Sequence, residues 1–220
     1  ASVPAGPPEF DPPQRGGREE NGGAGPRPRP LPADELMRLS AQHYRVEVVD
    51  GVLHIKDIDN MHPVGGTHVI IISNIYDLIK PYVRQHKLGL FLTDGLAYLL
   101  DERADGLRGA RVPDLSFIRQ KAIVRQWDMD RPYPGHPDLA IEVISPSEGA
   151  DDTLAKVDDF LEYGTEQVWV VYPGQRELQQ YFADGSVCRY RGDDLVDVSA
   201  LFPGLTLKLS DLFVLPELGE

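Results

Sequence analysis

The chain is 220 residues long, 41% hydrophobic and 26% charged, enough for one domain with a well-buried core plus extensions. Its formal net charge of −13 argues against a general nucleic-acid binder, and a single cysteine, Cys188, excludes an internal disulfide framework. No apolar run reaches bilayer-spanning length and the N-terminus lacks a charged-then-apolar signal pattern, so the expectation is a cytoplasmic protein without a membrane contact.

Residues 1–33 hold nine prolines and six glycines with few large apolar side chains. Such a composition cannot offset the entropy of ordering, so a disordered tail is expected. Its four acids balance its four arginines, leaving the whole negative charge on a single domain over 34–220. Residues 34–42 read as a short helix capped by Asp34, with Leu36, Met37 and Leu39 inward. Strands over 44–49 and 52–55 flank Asp50-Gly51, the strongest two-residue hairpin signal, because both turn positions need positive φ. On the first of these strands Glu47 lies opposite the apolar Tyr44, Val46 and Val48, a pattern that on its own describes a solvated acid.

A polar connection over 57–66 leads to a long helix over 67–87, in which Ile72, Ile75, Ile79, Tyr82 and Val83 recur at helical spacing. Pro81 predicts a kink or a break after Ile79, and Gly89 supplies the stop. His68, in the first turn, reads more readily as a surface or capping residue than as a catalyst. Residues 90–92 and 96–100 read as strands, and 103–111 as a glycine-containing loop. Pro113-Asp114 opens an apolar strand over 114–118. A long excursion over 119–136 contains Trp127, two prolines and a glycine, and loops of that length inside compact domains are usually functional or floppy. The next strand, 138–144, carries Glu142 in an otherwise apolar run and ends at Ser145-Pro146-Ser147.

A helix then starts at Asp151 or Asp152, either of which can cap it, and runs to Tyr163 before Gly164. Leu154, Val157, Phe160 and Leu161 make its buried sector, with Lys156 on the rim. Residues 167–172 form a buried strand, 177–182 and 186–190 a hairpin, and 205–209 a last strand. Ser210 caps a final turn with Leu212 and Phe213.

An acid inside a buried strand is costly unless a cation compensates it. Asp114 and Glu142, each close to a strand end and followed by the helical Lys156, therefore suggest a divalent metal beside a substrate anion. Residues 103–131 add seven basic side chains (Arg103, Arg108, Arg111, Arg119, Lys121, Arg125, Arg131) against four acids. This excess is either an anion-binding strip or chance spacing in loops. Aromatic side chains among arginines are also what a nucleic-acid contact uses.

These residues resemble the PD-(D/E)xK nuclease superfamily, and within it the Uma-two family of restriction-endonuclease-like proteins. The resemblance runs from about Tyr44 to Phe213. It is carried by Glu47-Val-Val-Asp-Gly51, by His68 followed by Asn74, by Pro113-Asp114, by Asp138-Leu-Ala-Ile-Glu-Val-Ile-Ser-Pro-Ser147, and by Asp152-x-x-x-Lys156 with Gly164 and Trp169. Ile144 stands where the superfamily name places lysine, and Lys156 is similar to the helix lysine that takes over in this family. Phe160, Thr165, Gln167, Val168 and Tyr172 also depart from the family pattern, as packing changes that remove no implied ligand.

The resemblance implies an α/β (α+β) restriction-endonuclease-like core: a central mixed β-sheet flanked by helices, with an N-terminal hairpin and a C-terminal β extension. It implies a metal-dependent endonuclease that hydrolyses DNA phosphodiester bonds with Mg²⁺-activated water, Mn²⁺ being an alternative. Asp114, Glu142 and the Val143 carbonyl would hold the ion. Lys156 would stabilise charge or orient the water, Glu47 would complete the shell, and His68 is a weaker candidate. Arg111, Arg119, Lys121 and Arg125 would contact DNA, and a homodimer is common among such enzymes. Against this stand a catalytically silent module of the same fold that binds a protein partner, which the −13 charge favours, and a hydrolase of another phosphoester.

Overall fold

A computed structural model describes residues 31–40, 45–56, 65–93, 95–145 and 149–217. The expected tail lies outside the described residues up to position 30. Leu31 already belongs to the fold, because its carbonyl accepts the Leu107 N–H at 2.9 Å. Also outside lie Gln42, Tyr44, most of the 57–66 connection, Asp94 and the Pro146-Ser147 end of the second acid-bearing strand.

Helix α1 (Ala33–Ser40) packs Leu36 under the hairpin of β1 (Arg45–Val49) and β2 (Val52–Lys56), whose turn holds Asp50 and Gly51 at φ 52° and 76°. Helix α2 (Gly66–Gln85) buries Ile71, Ile75, Ile79 and Val83 along one stripe. It runs unbroken through Pro81, so of the expected kink or break the break is absent. Asp77 and Pro81 both face solvent, so water can satisfy the carbonyl that proline leaves unbonded. The left-handed residue after this helix is Lys87, φ 53°, while Gly89 opens β3 (Gly89–Thr93).

The segment read as a loop over 103–111 is instead a strand. β4 (Tyr98–Arg103) turns through Ala104-Asp105 into β5 (Gly106–Arg111), with register shifts around Asp101. Gly106, Gly109 and Ala110 give this strand almost no intrinsic β preference, and cross-strand packing decides it. Then follow β6 (Leu115–Arg119), β7 (Tyr133–Pro134), β8 (Leu139–Val143), α3 (Ala150–Glu162), β9 (Gln167–Tyr172), β10 (Glu177–Phe182), β11 (Val187–Arg191), β12 (Leu195–Val196), β13 (Leu207–Lys208) and α4 (Leu209–Leu212). Ser210 lies inside α4, whose N-cap is Lys208, so the expected serine cap is replaced by a strand end.

One sheet has the order β2-β1-β5-β4-β7 and the other β11-β10-β9-β8-β6-β3, in which β8 and β9 are parallel across α3 and the remaining neighbours antiparallel. The expected mixed sheet flanked by helices is thus present, with α2 on one face and α3 on the other. Leu139, Ile141, Val143, Trp169 and Val171 meet the isoleucine stripe of α2, and the C-terminal Phe202 and Leu207 join them. Ala140, Val168 and Val170 meet Val157 and Phe160 of α3. The inward sector of α3 is Thr153, Lys156, Val157 and Phe160, whereas Leu154 is 45% exposed. Sequence periodicity placed leucine inward and lysine on the rim. The fold rotates the helix so that Lys156 meets a buried carboxylate. Its N-cap is Gly149, with Asp151 and Asp152 in the first turn, where their charge suits the helix dipole.

Candidate metal and active site

Strand pairing brings the two expected acids together. Extending the β6/β8 register one residue beyond Leu115↔Ile141 sets Asp114 beside Glu142, and two residues sets Pro113 beside Val143. Glu142 shares the sheet face of Ala140, the face covered by α3, and its cross-strand neighbour Asp114 projects the same way. From α3 the Lys156 Nζ donates to Glu142 Oε2 at 2.9 Å. Asp114 accepts the Val143 N–H at Oδ2 (2.8 Å) and an Arg45 guanidinium N–H at Oδ1 (3.1 Å). His68 Nε2 stands 4.0 Å from Asp114 Oδ2, beyond hydrogen-bonding reach.

Glu47 is a buried acid, not the solvated one its strand pattern describes. Its Oε1 accepts the Val112 N–H (3.2 Å) and its Oε2 an Arg111 N–H (3.0 Å), and Arg111 continues to Asp159 Oδ2 at 2.6 Å. Arg45, Glu47, Arg111, Asp114, Glu142 and Lys156 are all 9% exposed or less, so these are interior ion pairs with large desolvation terms on both sides.

The field in this cluster is uneven. Burial pushes the Glu142 carboxyl up to about 7, and repulsion from Asp114 and Glu47 adds to it, against the pull of Lys156 and Arg45. Burial acts to lower Lys156, yet Glu142 and Glu47 together hold its pKa above the ordinary lysine value. Glu47 is held below its ordinary range: burial opposes its charge, but Lys156, Arg111, Arg45 and the Val112 N–H outweigh it.

A hard dication fits this donor set. Glu142 Oε1 is buried and has no hydrogen-bond partner among the described residues. Val143, whose N–H points to β6, has Pro113 opposite it, and proline has no N–H to offer the Val143 carbonyl. Among the described residues no three Asp, Glu, His or Cys side chains gather into a cage. Two carboxylates and a carbonyl form an open set, the arrangement in which Mg²⁺ retains several of its waters.

The model of a family described as putative restriction endonucleases, Uma2, matches residues 33–210. The chain belongs to the Uma2 family. A crystal structure of a putative nuclease of the DUF820 family from Anabaena variabilis superposes with a TM-score of 0.66 at 22% identity, covering 84% of this chain and 98% of that one. At that identity the match shows a shared fold. No curated protein matches the sequence.

In this Uma2 chain the four cations assigned to DNA occupy different places. Arg111 is inside the cluster just described. Arg119 lies at the other end of β6, roughly 17 Å along the strand from Asp114, and spans Asp138 (2.7 Å), Glu166 (2.6 Å) and the Ala200 carbonyl (3.1 Å). Lys121 and Arg125 are exposed and line, with Ile123, Val124 and Trp127, a surface depression of about 390 Å³. Two members of the cluster escaped the sequence reading, Arg45 and Asp159. Arg45 and Glu47 occupy the same face of β1, and the structure buries both, although alternation with the apolar face describes a solvated pair.

Proposed function

We propose that this protein is a Mg²⁺-dependent endonuclease that hydrolyses DNA phosphodiester bonds. The observation that carries the reading is the convergence of Asp114, Glu142 and Lys156 at one sheet end, with Glu142 Oε1 buried and without a hydrogen-bond partner among the described residues. Asp114, Glu142 and the Val143 carbonyl would hold Mg²⁺, with Mn²⁺ as a substitute. The ion's chemistry is to polarise the phosphate and acidify a bound water. Lys156 keeps one Glu142 oxygen in place and sets a permanent positive charge where the phosphate's negative charge grows. Glu47, tied to Arg111 and the Val112 N–H, raises the proton affinity of Lys156 and so keeps that charge in place. Arg119 braces the far end of β6, and Lys121 and Arg125 offer a backbone contact beyond the reacting bond. A reducing cytoplasm is the compartment we propose, where the exposed Cys188 stays a thiol.

Plasmid cleavage with and without Mg²⁺ tests the reading. Asp114→Ala, Glu142→Ala and Lys156→Ala should each abolish metal-dependent cutting while the parent cuts. Equal cutting by all four proteins sinks it. A second reading, a silent module that binds a protein, is favoured by the way Arg45, Arg111 and Lys156 already pair with the buried carboxylates. It requires that calorimetry find no Mg²⁺ or Mn²⁺ binding.

A further inference from the structure

The buried cluster supplies its own counter-charges: Arg45 on Asp114, Lys156 on Glu142, and Arg111 between Glu47 and Asp159. A dication shared by Asp114 and Glu142 needs an oxygen from each. Glu142 has one to give, because Lys156 engages Oε2 and leaves Oε1 without a partner among the described residues. Asp114 has both oxygens engaged. Oδ2 is held by a backbone N–H from β8, which cannot leave without breaking strand geometry. Oδ1 is held by the Arg45 side chain, whose several rotatable bonds let it withdraw. A dication beside that guanidinium would also meet its charge in a poorly solvated interior, where like charges repel strongly.

We propose that Arg45 is the site's resident cation: it neutralises and orients Asp114 before metal arrives, and gives up Oδ1 when a dication binds. The proposal rests on the metal site proposed above. Metal loading is then an exchange of one cation for another at Asp114. The same contact explains how two adjacent acids are kept in a folded protein without metal.

Mn²⁺ titration calorimetry and melting curves with chelator or with saturating Mn²⁺ test this on the parent, Arg45→Met and Arg45→Lys. Arg45→Met should bind Mn²⁺ roughly tenfold tighter or more, because a charge-assisted hydrogen bond no longer competes. It should melt lower than the parent in chelator and recover most of the difference with Mn²⁺, while Arg45→Lys, which keeps the charge, stays near the parent. If Arg45→Met does not fold in chelator, refolding with Mn²⁺ must restore it, and failure to do so overturns the proposal. Unchanged or weaker Mn²⁺ affinity in Arg45→Met, with melting lowered equally in both conditions, marks a merely structural arginine. That result overturns the exchange but leaves the metal site standing, since the parent still binds. A gain in Arg45→Lys equal to that in Arg45→Met also overturns it. Absence of Mn²⁺ binding in all three proteins overturns both the exchange and the metal site.

Discussion

Replacing Glu142 by glutamine removes one titration from the interior while preserving shape. The parent carboxyl is pushed up to about 7 from an ordinary value of 4.5, chiefly by burial. The folded state therefore binds this proton more tightly than the unfolded chain. The stability it contributes is fully present below about 4.5 and is lost as pH rises through about 7. Each unit of such a difference is worth about 1.4 kcal/mol, so between pH 5 and pH 8 this group withdraws about 2–3 kcal/mol from the parent. Glu142→Gln has no proton to lose there. Urea unfolding of both proteins in chelator, at pH 5 and pH 8, reads this term, because titrations that do not touch Glu142 cancel in the difference and Lys156, which does, stays charged across that range. The variant should gain about 2–3 kcal/mol on the parent between the two pH values. A difference independent of pH, or one moving the other way, would refute the claim that Glu142 is a destabilised buried carboxylate.

Three further outcomes follow from the same geometry. Arg111→Met leaves the Glu47 carboxylate buried without its guanidinium and should cost about 3–5 kcal/mol in denaturant unfolding, while adding Glu47→Gln should cost little more because the two belong to one network. Gly89→Ala should fail to fold or lose roughly 3 kcal/mol or more, since a Cβ at φ 154° would stand 1.9 Å from the Ile118 carbonyl oxygen, and circular dichroism melting reads this directly. Glu177 is buried, which opposes its charge, yet hydrogen bonds from Arg189, Gln179 and Arg191 hold it down to about 2. Its contribution is therefore present above about 4.5 and lost as pH falls towards 2, so Glu177→Gln should flatten the acid limb of the melting-temperature profile between pH 5 and pH 2.5.

Much of the scaffold was legible because its signals are local. Asp50-Gly51 adopts the positive φ angles that its residue types favour, and the apolar runs of β8 and β9 are buried on both faces between α2 and α3. The convergence of Asp114, Glu142 and Lys156 was also within reach, since two strand acids need a nearby cation and the next helix supplies it. What stayed hidden depends on partners far along the chain. β5 reads as a loop because glycine and alanine dominate it, and its strand character comes from β1 and β4 on either side. Leu154 points to solvent and Lys156 inward, the reverse of what hydrophobic spacing ranks first, because Glu142 is the stronger claimant for that face of α3.

Glu47 shows the limit most clearly. Its own strand says only that a charge alternates with valines, which is equally true of a surface acid. Its burial is decided by Arg111, 64 residues later, and the burial of Arg111 in turn by Asp159, 48 residues beyond that. Removing Arg111 would strip Glu47 of its hydrogen-bonded cation, and removing Asp159 would leave Arg111 with Glu47 alone, so the three are linked in one network. No window of sequence short enough to have a period contains all three. Charge-balanced interiors of this kind can still be sought from sequence by a different test. The useful question is whether each acid that a strand turns inward has a cation that another strand or helix also turns inward. Applied to β1, that test yields two buried charges in five residues, Arg45 and Glu47, of opposite sign and each with a partner elsewhere in the cluster. A strand with two inward charges is held in place by ion pairs to other elements as well as by packing along its length.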